Sequence, residues 1–405
     1  MSRLDARWLA AAIPFVIVFA IGCADRASLS EPPAAAPPSR VLMLPFPPRP
    51  DPNAYADISA GVDFTCARRN SGAVICWGAI LGFGSRANAV LFGPGFDTLR
   101  ATTISAGAAF ACVVNTTSDG VCWGDGEQGQ LGNNLGYGPM DAELVAGGHK
   151  FVAIGAGTMV TCGMATDGAF CWGRHPDWNN PISNDINAPV QISTFNSYRN
   201  VAVGTEHACA TINGFNGVEV DCWGIDSVGQ QAIDPTMFST FVPFTIRSTF
   251  PTPVRRVSAN DSTTCAELTT GGVQCAGANG EGQLGNGMTG GSIFRPQTVT
   301  GGHLFHGVSV GTGHVCALDD QNHAFCWGKN DYGQLGDSSI VQSNVPRAVW
   351  GSITFRAIAA GYHHTCGIGT DNGLYCWGAN YYGQQGQHSQ NNIAWVTPGR
   401  VLDPR

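Results

Sequence analysis

The sequence predicts an all-β fold, a seven-bladed β-propeller, and three observations carry that reading. A Cys-Trp-Gly stretch recurs at Cys76-Trp77-Gly78, Cys122-Trp123-Gly124, Cys171-Trp172-Gly173, Cys222-Trp223-Gly224, Cys326-Trp327-Gly328 and Cys376-Trp377-Gly378, with Cys275-Ala276-Gly277 as an altered seventh copy. A second cysteine precedes each copy: Cys66, Cys112, Cys162, Cys209, Cys265, Cys316 and Cys366, successively 46 to 56 residues apart. The composition, with Gly 54, Pro 23 and only 12% charged residues, suits short strands joined by tight turns and is poor for long helices. A repeat near fifty residues with strand chemistry is the period of a propeller blade.

The chain opens on an export signal. Arg3 and Arg7 precede an apolar run of fourteen residues, Trp8 to Ile21, which is short for a membrane-spanning helix. Ala20-Ile21-Gly22-Cys23 resembles the bacterial lipobox, with Ala20 where that pattern usually has leucine. Residues 1–22 are thus expected to be a signal peptide and Cys23 a lipid-attachment site. Residues 23–56 are Pro-rich and read as a semi-extended tether, leaving the propeller to span 57–405. These segments predict an exported lipoprotein facing the periplasm or the cell exterior.

Within a repeat, Phe151 to Ile154, Val160 to Met164 and Ala169 to Trp172 read as successive strands, and Thr166-Asp167-Gly168 as a tight turn. The two cysteines of each repeat then flank a hairpin and face each other across it. Their separation is ten residues in five repeats, nine in the third and thirteen in the fourth, a variation the turn absorbs. Zinc sites favour Cys-x2–4-Cys spacing, which is absent. Seven local disulfides are expected: Cys66 with Cys76, Cys112 with Cys122, Cys162 with Cys171, Cys209 with Cys222, Cys265 with Cys275, Cys316 with Cys326, and Cys366 with Cys376. Cys23 is the fifteenth cysteine and stands apart.

After Trp-Gly comes a loop of the type Asp125-Gly126-Glu127-Gln128-Gly129-Gln130-Leu131-Gly132, with near-copies at 279–285, 330–336 and 380–386. A Pro-x-x-Val element follows at 296–299, 346–349 and 398–401, and Gly-x-x-His precedes the first cysteine at 204–207, 311–314 and 361–364. Together these elements resemble the regulator of chromosome condensation repeat, over about residues 57–405. The resemblance implies a seven-bladed propeller and makes His207, His314 and His364 structural hydrogen-bonders inside the blade. A propeller also has to join its last blade to its first or leave an open sheet edge. Because the first repeat lacks a Pro-x-x-Val element upstream, residues 397–402 are expected to pair with the first blade.

The functional reading is a binding module. The net charge of −8 and the presence of only two lysines, Lys150 and Lys329, argue against nucleic acid, which needs basic groups to displace counterions. No His-Glu-x-x-His signature occurs, and neither a metal site nor a cofactor is expected. Departures from the repeat are where specificity would reside. Trp178, Tyr332, Tyr381 and Tyr382 are the candidate binding residues, aromatics on loops being common anchors. The partner is expected to be an extracytoplasmic protein or glycan engaged by a monomer. The alternatives are a propeller enzyme acting on polysaccharide, with His175, Asp177 and Asp226 as candidates, or a structural envelope protein.

Overall fold

In the computed structural model the described residues are 51–402, apart from 81–83, 91–98, 137–140, 175–185, 195–196, 215–216, 233–245, 252 and 387–393. The expected signal peptide, Cys23, nearly all of the expected tether and Trp178 lie outside them. Seven four-stranded antiparallel sheets follow one another along the chain, each made of four consecutive strands. In the last blade these are Phe355–Ala360, His364–Gly369, Leu374–Gly378 and Trp395–Arg400. The first strand of each blade lines a common axial channel. The first of all begins at Tyr55, two residues ahead of the expected boundary.

The second strand is buried on both faces because a blade packs on each side of it. Phe110, Ala111 and Cys112 are fully buried, and His314–Asp319 is buried throughout. The turn into the third strand takes the left-handed conformation at Asn322 (φ 68°) and Asn372 (φ 65°), a residue type that tolerates it. Every first cysteine stands in register opposite its partner, as Cys316 does opposite Cys326. Each of the seven pairs is bonded, with Cα atoms 4.0–4.1 Å apart.

At several seams a tryptophan welds one blade to the next. Trp172, Trp327 and Trp377 donate from Nε1 to the main-chain oxygens of Gln130, Gln283 and Gln334, each at 2.9 Å. Those glutamines belong to the Gly-Gln-Leu-Gly loop of the preceding blade. The glycine ending each loop lies flat under the indole, at φ near 65°. A Cβ on Gly336 would fall 2.6 Å from Trp377 Nε1. Blade five, with Ala276 in place of tryptophan, is preceded by a loop ending in Ala232 rather than glycine. Phe250 joins those two alanines in one core cluster.

Closure differs from the sequence expectation. Trp395–Arg400 pairs with Leu374–Gly378 of its own blade, not with the first blade. The first blade already holds a fourth strand, Gly84–Val90, paired with Val74–Ile80. The departure from the repeat pattern in that region concealed this strand, so no vacancy exists for 397–402 to fill. The seam between blades seven and one is instead made by the contacts used at the other seams. Trp77 Nε1 donates to Gln384 O (2.9 Å), Tyr362 N donates to Gly61 O (3.2 Å), and Val401 is buried with Trp77.

Candidate functional site

The connections between first and second strands, and those between third and fourth, gather at one end of the channel. Gly-x-x-His governs the first kind. A Cβ on Gly311 would lie 2.8 Å from His314 Cε1, and one on Gly361 would lie 2.6 Å from His364 Cε1. The glycine therefore exists to let the imidazole lie against the main chain. In blades one and two a phenylalanine ring takes the same place over Gly61 and Gly107.

The three histidines bridge adjacent blades and do not bond within one, which corrects the expectation. His207 Nε2 lies 2.7 Å from Thr264 Oγ1, His314 Nε2 lies 2.8 Å from Thr365 Oγ1, and His364 Nε2 lies 2.8 Å from Thr65 Oγ1. Thr365 Oγ1 donates onward to Gln334 O, so His314 carries its proton on Nε2. Burial pushes the three imidazoles down to pKa values of about 4, about 3 and about 3, which keeps them neutral. They are rivets between blades. Among the described residues no three His, Cys, Asp or Glu side chains converge as a metal site would require.

Asp226 is equally structural. Its carboxylate accepts Gln231 N at 2.7 Å, as Asn279 accepts Leu284 N and Asn330 accepts Leu335 N in their loops. Burial pushes its pKa up to about 6. His175 and Asp177 lie outside the described residues.

What the loop end does gather is an aromatic group on blades six and seven. Tyr332 and Tyr381 stand edge to face, ring centroids 5.8 Å apart and planes at 87°. His363 lies 4.4 Å from Tyr332 and 4.0 Å from Tyr362. Tyr381, Tyr382 and Tyr362 are 50%, 45% and 38% exposed. Burial pushes the half-buried His363 down to about 4, with the Lys329 ammonium adding to the effect, so this ring too is neutral at physiological pH. Lys329 pairs with Asp331 at 3.4 Å beside it. Tyr362 reaches the channel mouth, a cavity of about 230 Å³.

The result is a row of aromatic rings from the axis outward, edged by an ion pair. The structure thus brings Tyr332 and Tyr381 together, with Tyr382 next to Tyr381 in the chain and also exposed. Tyr362 and His363 escaped the sequence reading because they are the two variable positions of Gly361-x-x-His364, inside a motif that reads as structural.

Comparison with known proteins agrees with the fold. Models of the regulator of chromosome condensation (RCC1) repeat match residues 55–79, 305–334, 355–384 and 321–368. The chain is 30% identical over 214 residues to the ultraviolet-B receptor UVR8 of Arabidopsis thaliana, covering 50% of this chain and 47% of the receptor. It is 29% identical over 214 residues to the E3 ubiquitin-protein ligase HERC2 of Mus musculus, covering 50% of this chain and 4% of that protein. The chain therefore aligns with less than half the length of these relatives. Among solved structures, yeast RCC1 (Prp20) bound to Kap60 superposes with a TM-score of 0.70 at 17% identity, over 87% of this chain and 85% of that one. Human WBSCR16 superposes with a TM-score of 0.65 at 18% identity, over 78% and 87%.

Proposed function

The chain is a seven-bladed propeller of the regulator of chromosome condensation repeat family, and from that premise we propose that it is an exported binding module whose aromatic face on blades six and seven docks a protein partner. The observation that carries the reading is the exposure of Tyr362, Tyr381 and Tyr382 around a neutral His363, on a scaffold whose other described Phe, Trp and Tyr side chains, Trp350 apart, are buried or half-buried. Tyrosine buries a large apolar area at low entropic cost and keeps a polar tip, which makes it a frequent anchor at protein interfaces. Rigid blades hold the rings in place before binding, which reduces the ordering cost of association. The relatives give a precedent in kind, since yeast RCC1 is captured with Kap60 and has binding properties toward Gsp1p and histones.

Seven disulfides support an oxidising compartment, and with the export signal they support delivery outside the cytoplasm. Cys23 is the proposed lipid-attachment point, and 23–56 the tether that holds the propeller off the membrane. Binding rather than catalysis is favoured because the polar groups of the repeat that could serve chemistry, His207, His314, His364 and Asp226, are committed to holding blades and loops together.

A photo-crosslinking residue in place of Tyr382 tests the docking face in the native envelope. One dominant protein adduct, lost when Tyr332 and Tyr381 are both changed to alanine, is the expected outcome. An adduct pattern that the double substitution leaves unchanged rules this face out.

A further inference from the structure

The axial channel runs inward from the mouth that Tyr362 reaches. It encloses about 200 Å³ between the first strands of the blades. Ser59, Ser105, Ser258 and Ser309 occupy one ring of its wall, each directly opposite the first cysteine of its blade. Each serine Oγ accepts a main-chain N–H of the following blade: Ala106, Ala156, Val310 and Ala360, at 2.9, 2.9, 3.0 and 2.9 Å. Of the two asparagines of the lining, Asn200 Oδ1 accepts Val257 N of the following blade, and Asn260 Oδ1 accepts the N–H of its own neighbour Asp261.

All six polar uncharged side chains of the wall thus have their oxygen engaged by the scaffold. Toward the channel they can donate four hydroxyl protons and two amide NH2 groups, while each oxygen keeps one further lone pair. The remaining polar side chain of the described lining is Arg256, exposed near the start of its strand and therefore toward the end away from the loops. Burial pushes the Asp57 carboxyl above its ordinary pKa, and Arg68, Arg256 and the main-chain N–H groups of Ile58 and Ile104 partly oppose that shift. Glu267 is taken up by Arg255 (2.9 Å) and Gly307 N (2.9 Å).

We propose that the channel binds a compact oxyanion, a phosphate or a carboxylate, entering past Arg256 and held by the serine ring. Preset donors in a narrow, partly desolvated space bind an anion without reorganising, and a guanidinium matches both oxyanions in geometry. The serines sit on blades one and two and on blades five and six, two pairs across the axis. Gly155, Ala202 and Ala359 fill the same level on the other three blades and leave room between them.

Calorimetric titration of the oxidised full chain with inorganic phosphate, and in a parallel arm with acetate, each against sodium chloride at matched ionic strength, tests this. Saturable one-site binding of phosphate is expected, weakened at least tenfold by Arg256→Gln and restored to within a few-fold by Arg256→Lys. Ser309→Ala, which removes one donor and keeps the charge, should weaken it several-fold. Binding of acetate instead of phosphate keeps the oxyanion site and assigns it to carboxylates. Absence of saturable binding of either anion, or equal affinity in an Arg256→Gln protein with an unchanged unfolding midpoint, overturns the proposal.

Discussion

His364 in the last blade and Thr65 in the first meet across the seam of the ring, Nε2 to Oγ1 at 2.8 Å, although 299 residues separate them in sequence. The same pairing joins blades six and seven through His314 and Thr365, but there the chain itself also links the blades. Between seven and one, within the propeller, no peptide link exists. A histidine-to-alanine change should cost about 1–3 kcal/mol at either seam, the penalty of a buried hydrogen bond left half-made. The kinetic effect should differ. His364→Ala is expected to speed amide hydrogen exchange in blades one and seven together, while His314→Ala leaves blade one as protected as before. Equal exchange profiles for the two variants would show that the seam is no weaker point.

The loop glycines give a second test. Gly336→Ala places a methyl group 2.6 Å from Trp377 Nε1 at a φ of 69°, so both sterics and backbone oppose it. A loss of about 1–3 kcal/mol is expected in urea titration. The equivalent residue ahead of blade five is natively Ala232, where Ala276 replaces tryptophan. Ala276→Trp alone should therefore destabilise, and adding Ala232→Gly should recover part of the loss. Additive effects would show that the two positions do not share one space.

The three riveting histidines predict acid sensitivity. Their folded pKa values, about 4, about 3 and about 3, lie below the unfolded value of 6.5. The unfolded chain therefore binds protons first as pH falls. Stability should drop from about pH 6.5 down to those values, with a slope of about 1.4 kcal/mol per pH unit for each histidine. Asp226, held up to about 6, acts in the opposite sense by favouring the folded state as pH falls through that range. A plot of unfolding midpoint against pH should be shallower for His314→Gln than for the parent below pH 6. Parallel curves would mean that His314 does not resist protonation.

The binding face is open to a simple comparison. Tyr381→Ala and Tyr382→Ala, at positions 50% and 45% exposed, should leave the unfolding midpoint within about 0.5 kcal/mol of the parent while abolishing partner capture. A variant that loses stability but still captures its partner would assign these tyrosines to packing.

The repeat made the blade count, the cysteine pairing and the strand–turn–strand core legible, because each rests on local periodicity. The closure was not legible. Gly84–Val90 carries no Pro-x-x-Val element, and a reader who sees no fourth strand there looks for one at the other terminus. The inter-blade role of the histidines was hidden for a related reason: their partners Thr264, Thr365 and Thr65 lie one blade onward, which a single repeat does not reveal. Tyr332 and Tyr381 stood out as loop aromatics. Tyr362 and His363 were masked by the structural motif that contains them. The channel serines gave no signal at all, since an isolated serine in a strand says nothing until seven strands are set around one axis.

Intact mass with non-reducing peptide mapping on protein from its native envelope tests the proposed exported, blade-by-blade stapled ring most directly. Seven links are predicted, each between the two cysteines of one blade, every one closing a short hairpin loop worth about 2.5–3 kcal/mol, and a lipid adduct on Cys23. Free thiols in the blades with an unmodified Cys23 would contradict the proposal, removing the oxidising compartment and the anchor together.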